Sequence, residues 1–374
     1  MRFLIADTYY PTFLYDFYAT RPELASQSYQ EQRQALMDEC FGTSNFYSTH
    51  LRELGHDAEE VIPNCEPLQR QWAKENGVTF DETLQYSVYL RRKIVPWVRR
   101  APRDNWVYTI LEAQVKASKP DILYIQDMHA LPAFFLEAVR PSVKHIVGQI
   151  ASPTHPGADF RDYDLILTSF PHFVDRFRRE GLKSEYFRIG FEPKVLTRLS
   201  RTAPVDLAFI GGLSDAHSHR VRFLEAMART HPIDFWGYGS ENLAPDSPLR
   251  THFHGNAWGL GMYQALYNTK ISLNLHINAA ENNANNMRLY ESTGVGTLLL
   301  TDAKDNLSTL FTPDKEVAVY HSPEECAEKI NHYLSHESER AAIAAAGQAR
   351  TLKEHTYAHR MAELVTILQR TFGL

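Results

Sequence analysis

Cysteine is scarce in this sequence: Cys40, Cys65 and Cys326 are the three present, far apart and in no CxxC pair. That spacing excludes a disulfide framework and a cysteine zinc site, and it suits a reducing, cytoplasmic compartment. Long apolar runs are missing as well. No stretch reaches the ~18 apolar residues of a membrane-crossing helix. The opening MRFLIADTYYP holds an apolar run of only four residues before Asp7, which reads as a first strand and not as a signal peptide. Positive charge is not in excess, because 39 Lys+Arg stand against 45 Asp+Glu for a net charge of −6. A global cationic face is therefore excluded, and nucleic acid is not an expected partner. No repeat, low-complexity tract or GxGxxG fingerprint is present, so a dinucleotide site is not supported. Hydrophobic residues at 44% against 22% charged exclude a disordered chain. Its 374 residues are too many for one ordinary core and suggest two domains.

Short apolar runs alternate with longer helical patterns, the grammar of a parallel α/β protein. In the first half strands are predicted at 2–6, 121–126, 145–149, 165–168 and 186–189. Helices fall between them, including 29–54 and 83–95, the latter stopped by Pro96. Periodicity fades and two prolines appear over 190–204, which is read as the inter-domain linker. The second half restarts with strands at 205–210, 233–236, 270–275, 297–301 and 317–320. Helices there are expected at 219–230, 261–267, 287–292, 323–335, 338–354 and 357–372. The fold class is α/β: two doubly wound, Rossmann-like domains, 1–192 and 203–356, facing across a cleft.

Three places carry candidate chemistry. In VDLAFIGGLSDAHSHR a buried strand runs into Gly211-Gly212 and then a helix. Such a turn lets backbone amides approach a phosphate, and Arg220 adds charge, although Gly-Gly turns after strands are common. In NNANNMRLYESTGVGTLLLTD an asparagine run that includes Asn283 and Asn286 precedes a helix with Arg288 and Glu291. Asparagines there cap a helix or offer amide donors, and a carboxylate early in such a helix can accept two ribose hydroxyls. At the end of ILYIQ, Asp127 and His129 stand where α/β folds gather ligands, and His155 competes for the same acid–base or hydroxyl-binding role. Tyr9 and Tyr10 follow the first strand and line an acceptor cleft as stacking platforms or pack in the core or at the rim.

Other patterns are weaker. Asp215, His217 and His219 form D-x-H-x-H, and His252 and His254 form H-x-H, but seventeen histidines produce such pairs by chance and no converging partner is visible. No DxD-like pair is placed to hold a metal against a diphosphate. The run RRKIVPWVRRAPR, from Arg91 to Arg103, has six basic residues, no acidic one and interleaved apolar side chains. It is either a solvated basic helix end or a peripheral contact with an anionic acceptor or membrane surface.

The segments NNMRLYESTGVGTLLLTDAKDNLSTLF and EVAVYHSPEECAEKINHYLSHESERAAIAAAGQARTLKEHTYAHR, with DLAFIGGLSDAHSHR and FHGNAWGLGMYQALYNTKISLNLH before them, resemble the C-terminal domain of GT-B glycosyltransferases. The closest likeness is to the spore-maturation-protein branch related to glycosyltransferase family 4. The resemblance is carried by N-x-R-x-x-E, small residues leading into a strand, and a terminal H-T-Y-x-x-R. PDILYIQD and DLILTSFPHFVDRFRREGL match the N-terminal lobe more loosely. The resemblance implies a metal-independent, hexosyltransferase-type enzyme without cofactor, using a nucleotide-sugar donor and an unidentified acceptor. It implies Glu291 as the ribose-binding glutamate, with Arg288 and Gly211-Gly212 near the diphosphate, and a last helix, 357–374, crossing back to the first lobe. Related retaining enzymes carry E-x7-E; the first position is Asn283 here and Glu281 lies two residues off, so donor sugar and stereochemical course stay open. A nucleotide-sugar epimerase of the same fold and a catalytically silent nucleotide-sugar or polysaccharide-binding protein are the alternatives.

Overall fold

The computed structural model describes residues 1–80, 86–91, 95–100, 105–155, 157–213 and 218–374. The first lobe is built on β1 (Arg2–Ala6), β2 (Asp57–Val61), the hairpin β3 (Tyr86–Arg91) and β4 (Val95–Arg100), β5 (Ile122–Ile125), β6 (His145–Gln149), β7 (Leu165–Thr168) and β8 (Ser184–Tyr186). Its helices are α1 (Pro11–Ala19), α2 (Tyr29–Asp38), α3 (Phe46–Glu53), α4 (Glu66–Glu75), α5 (Asn105–Ser118), α6 (Ala133–Val139) and α7 (Pro171–Arg179). Six strands form one parallel sheet in the order β2-β1-β5-β6-β7-β8. All four residues of β5 and of β7 are buried, as in a sheet covered on both faces.

The second lobe repeats the plan with β9 (Val205–Ile210), β10 (Asp234–Trp236), β11 (Thr269–Asn274), β12 (Leu298–Asp302) and β13 (Ala318–Tyr320). Around them lie α8 (Ser218–Ala228), α9 (Gly259–Asn268), α10 (Met287–Gly294), α11 (Pro323–Ser335), α12 (Glu337–Glu354) and α13 (Tyr357–Phe372). The parallel order is β10-β9-β11-β12-β13. In both sheets the chain winds first to one side of the leading strand and then to the other. The crevices between β1 and β5 and between β9 and β11 are thus topological switch points, where open α/β sheets bind ligands at the carboxyl ends of strands.

Four elements differ from the sequence expectation. The helix expected over 29–54 is two helices, because the intervening turn needs left-handed backbone at Cys40 (φ 54°), Gly42 (φ 58°) and Ser44 (φ 45°). A Ser28–Glu31 capping box starts the first of them. In place of the helix over 83–95 there is the antiparallel β3–β4 pair, with Tyr86 opposite Arg100 and Arg91 opposite Val95; its β-branched and aromatic content favours strand. Arg91, Arg99 and Arg100 of the basic run lie in this hairpin, while Arg92, Lys93 and Arg103 lie outside the described residues. Strand β2, DAEEV, carries too many acids to read as a strand. It is stabilised because the buried Glu60 accepts from Ser48 N (2.8 Å), Ser48 Oγ (2.7 Å) and Arg33 Nη2 (3.2 Å). The strand expected at 186–189 is shorter and earlier, because Phe187 leaves the sheet for a core shared by both lobes.

That shared core runs from Phe3, Phe46 and Tyr124 in the first lobe to Leu289 and Leu299 in the second. Phe191 bridges the lobes, accepting from Tyr357 N (2.9 Å) and donating its own N–H to His355 O (2.8 Å). Helix α13 then crosses to the first lobe, where Tyr357 packs on Phe46 and Tyr47 and Phe372 stacks on His145 at 3.8 Å. Among the described residues no helix is long and apolar enough to cross a membrane.

His355 lies in this joint, its Nε2 2.9 Å from Leu310 O. Burial pulls its imidazole from the ordinary 6.5 to about 4. Above pH 6.5 the folded and unfolded chains both hold it neutral, and below that the unfolded chain alone gains a proton. Stability should therefore fall as pH drops from 6.5 towards 4, by up to ~3 kcal/mol. Urea unfolding at a series of pH values checks this, and His355→Asn, which keeps a hydrogen-bond donor without titrating, should flatten that part of the profile.

Candidate functional site

A cleft of about 440 Å³ lies between the two sheets, against both switch points. On the first-lobe side it is bounded by Asp7, Thr8 and Tyr10 after β1, by the turn at Phe41–Thr43, and by Gln126 and Gln149. The facing wall consists of Gly211 and Gly212 after β9, Trp236–Tyr238 after β10, Asn274, Arg220, and the first turns of α10.

The start of α10 is fixed by Asn286, an extended N-cap whose Oδ1 accepts from Leu289 N (3.2 Å) and whose Nδ2 donates to Asn274 Oδ1 (2.8 Å). Arg288 and Glu291 follow on one face of the helix. Glu291 is 4% exposed, and burial pushes its carboxyl above the usual glutamate range against the opposing pull of Arg288. Arg288 Nη1 stands 2.8 Å from Glu291 Oε2, an ion pair without hydrogen-bond alignment, so Nε and Nη1 of Arg288 remain buried without a hydrogen-bond partner.

Arg220 spends Nη1 on Gly212 O and Nη2 on Leu275 O, both at 3.0 Å, while its Nε stays buried and unpartnered. Burial lowers the pKa of this guanidinium from its usual value. Two cations with unsatisfied N–H groups against one carboxylate leave this wall ready for an anion, since each buried unsatisfied donor costs ~1–3 kcal/mol.

Gly211 and Gly212 serve a close approach of two loops. Gly211 N donates to Trp236 O (3.0 Å) and Leu213 N to Tyr238 O (2.9 Å), so the amide of Gly211 is already spent. A Cβ on Gly212 would meet the Tyr238 ring at 2.2 Å, and one on Gly237 (φ +149°) would meet Gly211 O at 2.0 Å. Asp215 and His217 lie outside the described residues. Asn283 is drawn away from the cleft, its Nδ2 3.1 Å from His172 Nδ1 of α7, and it ties the two lobes together. Among the described residues no group of three His, Cys, Asp or Glu converges as a metal would need.

On the first-lobe wall the sequence reading missed Asp7. It ends the run out of β1, and burial pushes its carboxyl up to about 7, with the charge of Asp127 adding to the rise. Asp127 is itself engaged, accepting from Thr8 Oγ1 (2.6 Å) and from His129 N (3.0 Å). Asp127, His129 and His155 are not among the described residues lining the cleft. The two histidines pack edge to face at 4.9 Å, close to Phe160 and exposed. Tyr9 is also no cleft residue: it is 2% exposed, packed on Phe13 and Phe41.

Tyr10 lies at the mouth, its ring meeting Phe41 of its own lobe and Tyr238 and Trp258 of the other. The lobes touch there closely enough that a Cβ on Gly259 would fall 2.0 Å from Glu39 O. Asp7 and Gln126 could have been found as the first polar residues after buried strands; Trp236, Tyr238 and Trp258 carry no such sequence signal.

Residues 220–366 match the model of a family described as glycosyl transferase-like. No curated protein sequence matches the chain significantly. Solved structures match over nearly the whole length. A glycosyltransferase from Rickettsia africae is similar at TM-score 0.59 and 11% identity, over 99% of this chain and 98% of that one. The sucrose-phosphate synthase of Thermosynechococcus elongatus gives 0.58 and 9%, over 100% and 99%. Anabaena HepE, solved in complex with UDP, gives 0.58 and 11%, over 99% and 100%. Two parallel α/β lobes facing across a cleft, and these likenesses at full length, give the chain a GT-B fold, with residues 220–366 similar to the glycosyl transferase-like family.

Proposed function

We propose that the protein is a glycosyltransferase that moves a sugar from a nucleotide-sugar donor to an acceptor hydroxyl. The observation that carries this is the pairing, at the start of α10, of buried Glu291 with an Arg288 whose Nε and Nη1 lack hydrogen-bond partners, on the same cleft wall as Arg220. A carboxylate there accepts both ribose hydroxyls, and the guanidiniums bind and neutralise a diphosphate. The structural neighbour HepE, bound to UDP and in another crystal to UDP-glucose, supports the same class of donor. The spore-maturation-like branch remains part of this proposal, on the motifs of residues 285–360.

In the transfer step the acceptor oxygen bonds to the anomeric carbon while the bond from that carbon to the diphosphate oxygen breaks. The nucleoside diphosphate leaves with the bonding pair, its growing charge met by Arg288 and Arg220 in place of a metal ion. The acceptor proton passes to Asp7, which lines the cleft opposite Glu291 and has a carboxyl basic enough to accept it near neutral pH. Asp127 acts through Thr8 as a positioning residue, its charge raising the basicity of Asp7.

Glu291→Gln keeps the side-chain shape and removes its charge, so nucleotide affinity should weaken ~10-fold or more with far-UV dichroism unchanged. Calorimetric titration with UDP, GDP, ADP and TDP and their sugars identifies the donor and measures the loss; wild-type affinity in the variant would defeat the assignment. For Asp7 the expected readout is kinetic. Transfer should rise with pH through an inflection near 7, as the carboxylate forms. Asp7→Asn should lose ~10²–10⁴-fold in kcat with donor binding retained. Isomerised donor released without any acceptor would establish the epimerase reading instead.

A further inference from the structure

A second cavity, about 660 Å³, lies in the first lobe beside the cleft, and Thr8 lines both. Its walls are rings and aliphatic carbons: Leu14, Tyr15 and Tyr18 from α1, Trp106 and Tyr108 from α5, and Leu131. Four of the polar side chains in these walls are already engaged. Asn64 Oδ1 accepts from Tyr9 N (3.0 Å) and its Nδ2 donates to Tyr9 O (2.7 Å). Thr8 Oγ1 donates to Asp127, Tyr18 Oη donates to Gln32 Oε1 (2.9 Å), and Glu66 is paired with Arg70 (2.7 Å).

A sugar ring in this space would bring hydroxyls that need partners, and these groups have little left to give. A flat apolar ring needs none and gains from four aromatic walls. Tyr15 is 75% exposed, more than the other large hydrophobic side chains among the described residues, and such a ring at a cavity mouth is covered by a ligand at low cost.

We propose that this cavity holds the aromatic body of the acceptor, a phenol or aryl alcohol, whose hydroxyl reaches past Thr8 to Asp7 in the cleft. The proposal rests on the glycosyltransferase reading, since it assigns the acceptor of that same site. Thr8 lines both spaces, so a molecule seated between α1 and α5 has an end beside the cleft. The donor occupies the opposite wall, so both substrates fit without competing.

The test uses the full-length protein and 2-naphthol as the probe, with binding read from its fluorescence in the absence of any donor. Ala19 is exposed and lines the cavity, so Ala19→Trp fills the space without disturbing the core. We expect Ala19→Trp to weaken 2-naphthol binding at least 10-fold and to raise the KM for 2-naphthol at least 10-fold. Donor affinity should be unchanged. Tyr15→Ala should act in the same direction and Tyr15→Phe should behave as wild type. Equal naphthol binding in wild type and Ala19→Trp would overturn the proposal, as would glucose or decanol serving as well as 2-naphthol in the transfer assay. Loss of binding in Ala19→Trp, in a wild-type protein that binds no nucleotide sugar, would support the aromatic site and defeat the glycosyltransferase reading.

Discussion

The joint at Phe191 and Tyr357 is the constraint on which the rest of the structure depends. Two doubly wound sheets each have a ligand-binding edge, but neither edge is a cleft until the other is held opposite it. Backbone hydrogen bonds both ways between Phe191 and the 355–357 segment, with Tyr357 wedged on Phe46 and Tyr47, set that distance and angle. A Cβ on Gly190 would come 3.0 Å from the backbone at Thr356 and Tyr357, so the approach also favours glycine on the first-lobe side. The terminal H-T-Y-x-x-R motif therefore serves the joint. His355 and Arg360 are buried in it, and Thr356 caps α13.

With the edges fixed, the two walls of the cleft take opposite electrical characters. The second-lobe wall offers guanidinium N–H groups without hydrogen-bond partners and one buried carboxylate ion-paired with Arg288. The first-lobe wall offers a carboxyl held near neutrality by burial and by the charge of Asp127. One wall suits an anionic leaving group, the other a proton acceptor. That division is what the proposed transfer of a sugar from a diphosphate calls for. The aromatic contact of Tyr10 with Tyr238 and Trp258 joins the two lobes at the mouth.

Much of the fold was legible in the sequence because buried parallel strands are written as short apolar runs. FLIA, ILYI, LILT and LLLT are buried in full and fall where the pattern put them. The failures have physical causes. Strand β2 reads as DAEEV because Ser48 and Arg33, distant in sequence, satisfy Glu60 inside the lobe. The split of 29–54 depends on left-handed residues at Cys40 and Ser44, a conformation that side chain alone does not announce.

The site divides along the same line. The sequence by itself determined the local devices: an asparagine cap before α10, Arg288 and Glu291 three residues apart on one helical face, and a Gly-Gly turn at the end of β9. These follow from helix geometry and backbone sterics, which act over a few residues. Tertiary structure alone decided that Asp7 is half-buried and within reach of the charge of Asp127, that Tyr9 faces the core while Tyr10 faces the other lobe, and that His129 and His155 stand outside the cleft lining. Desolvation and the meeting of two lobes are properties of what surrounds a residue. For Asp7 those surroundings come from residues 36 to 120 positions away in the chain, such as Thr43 and Asp127.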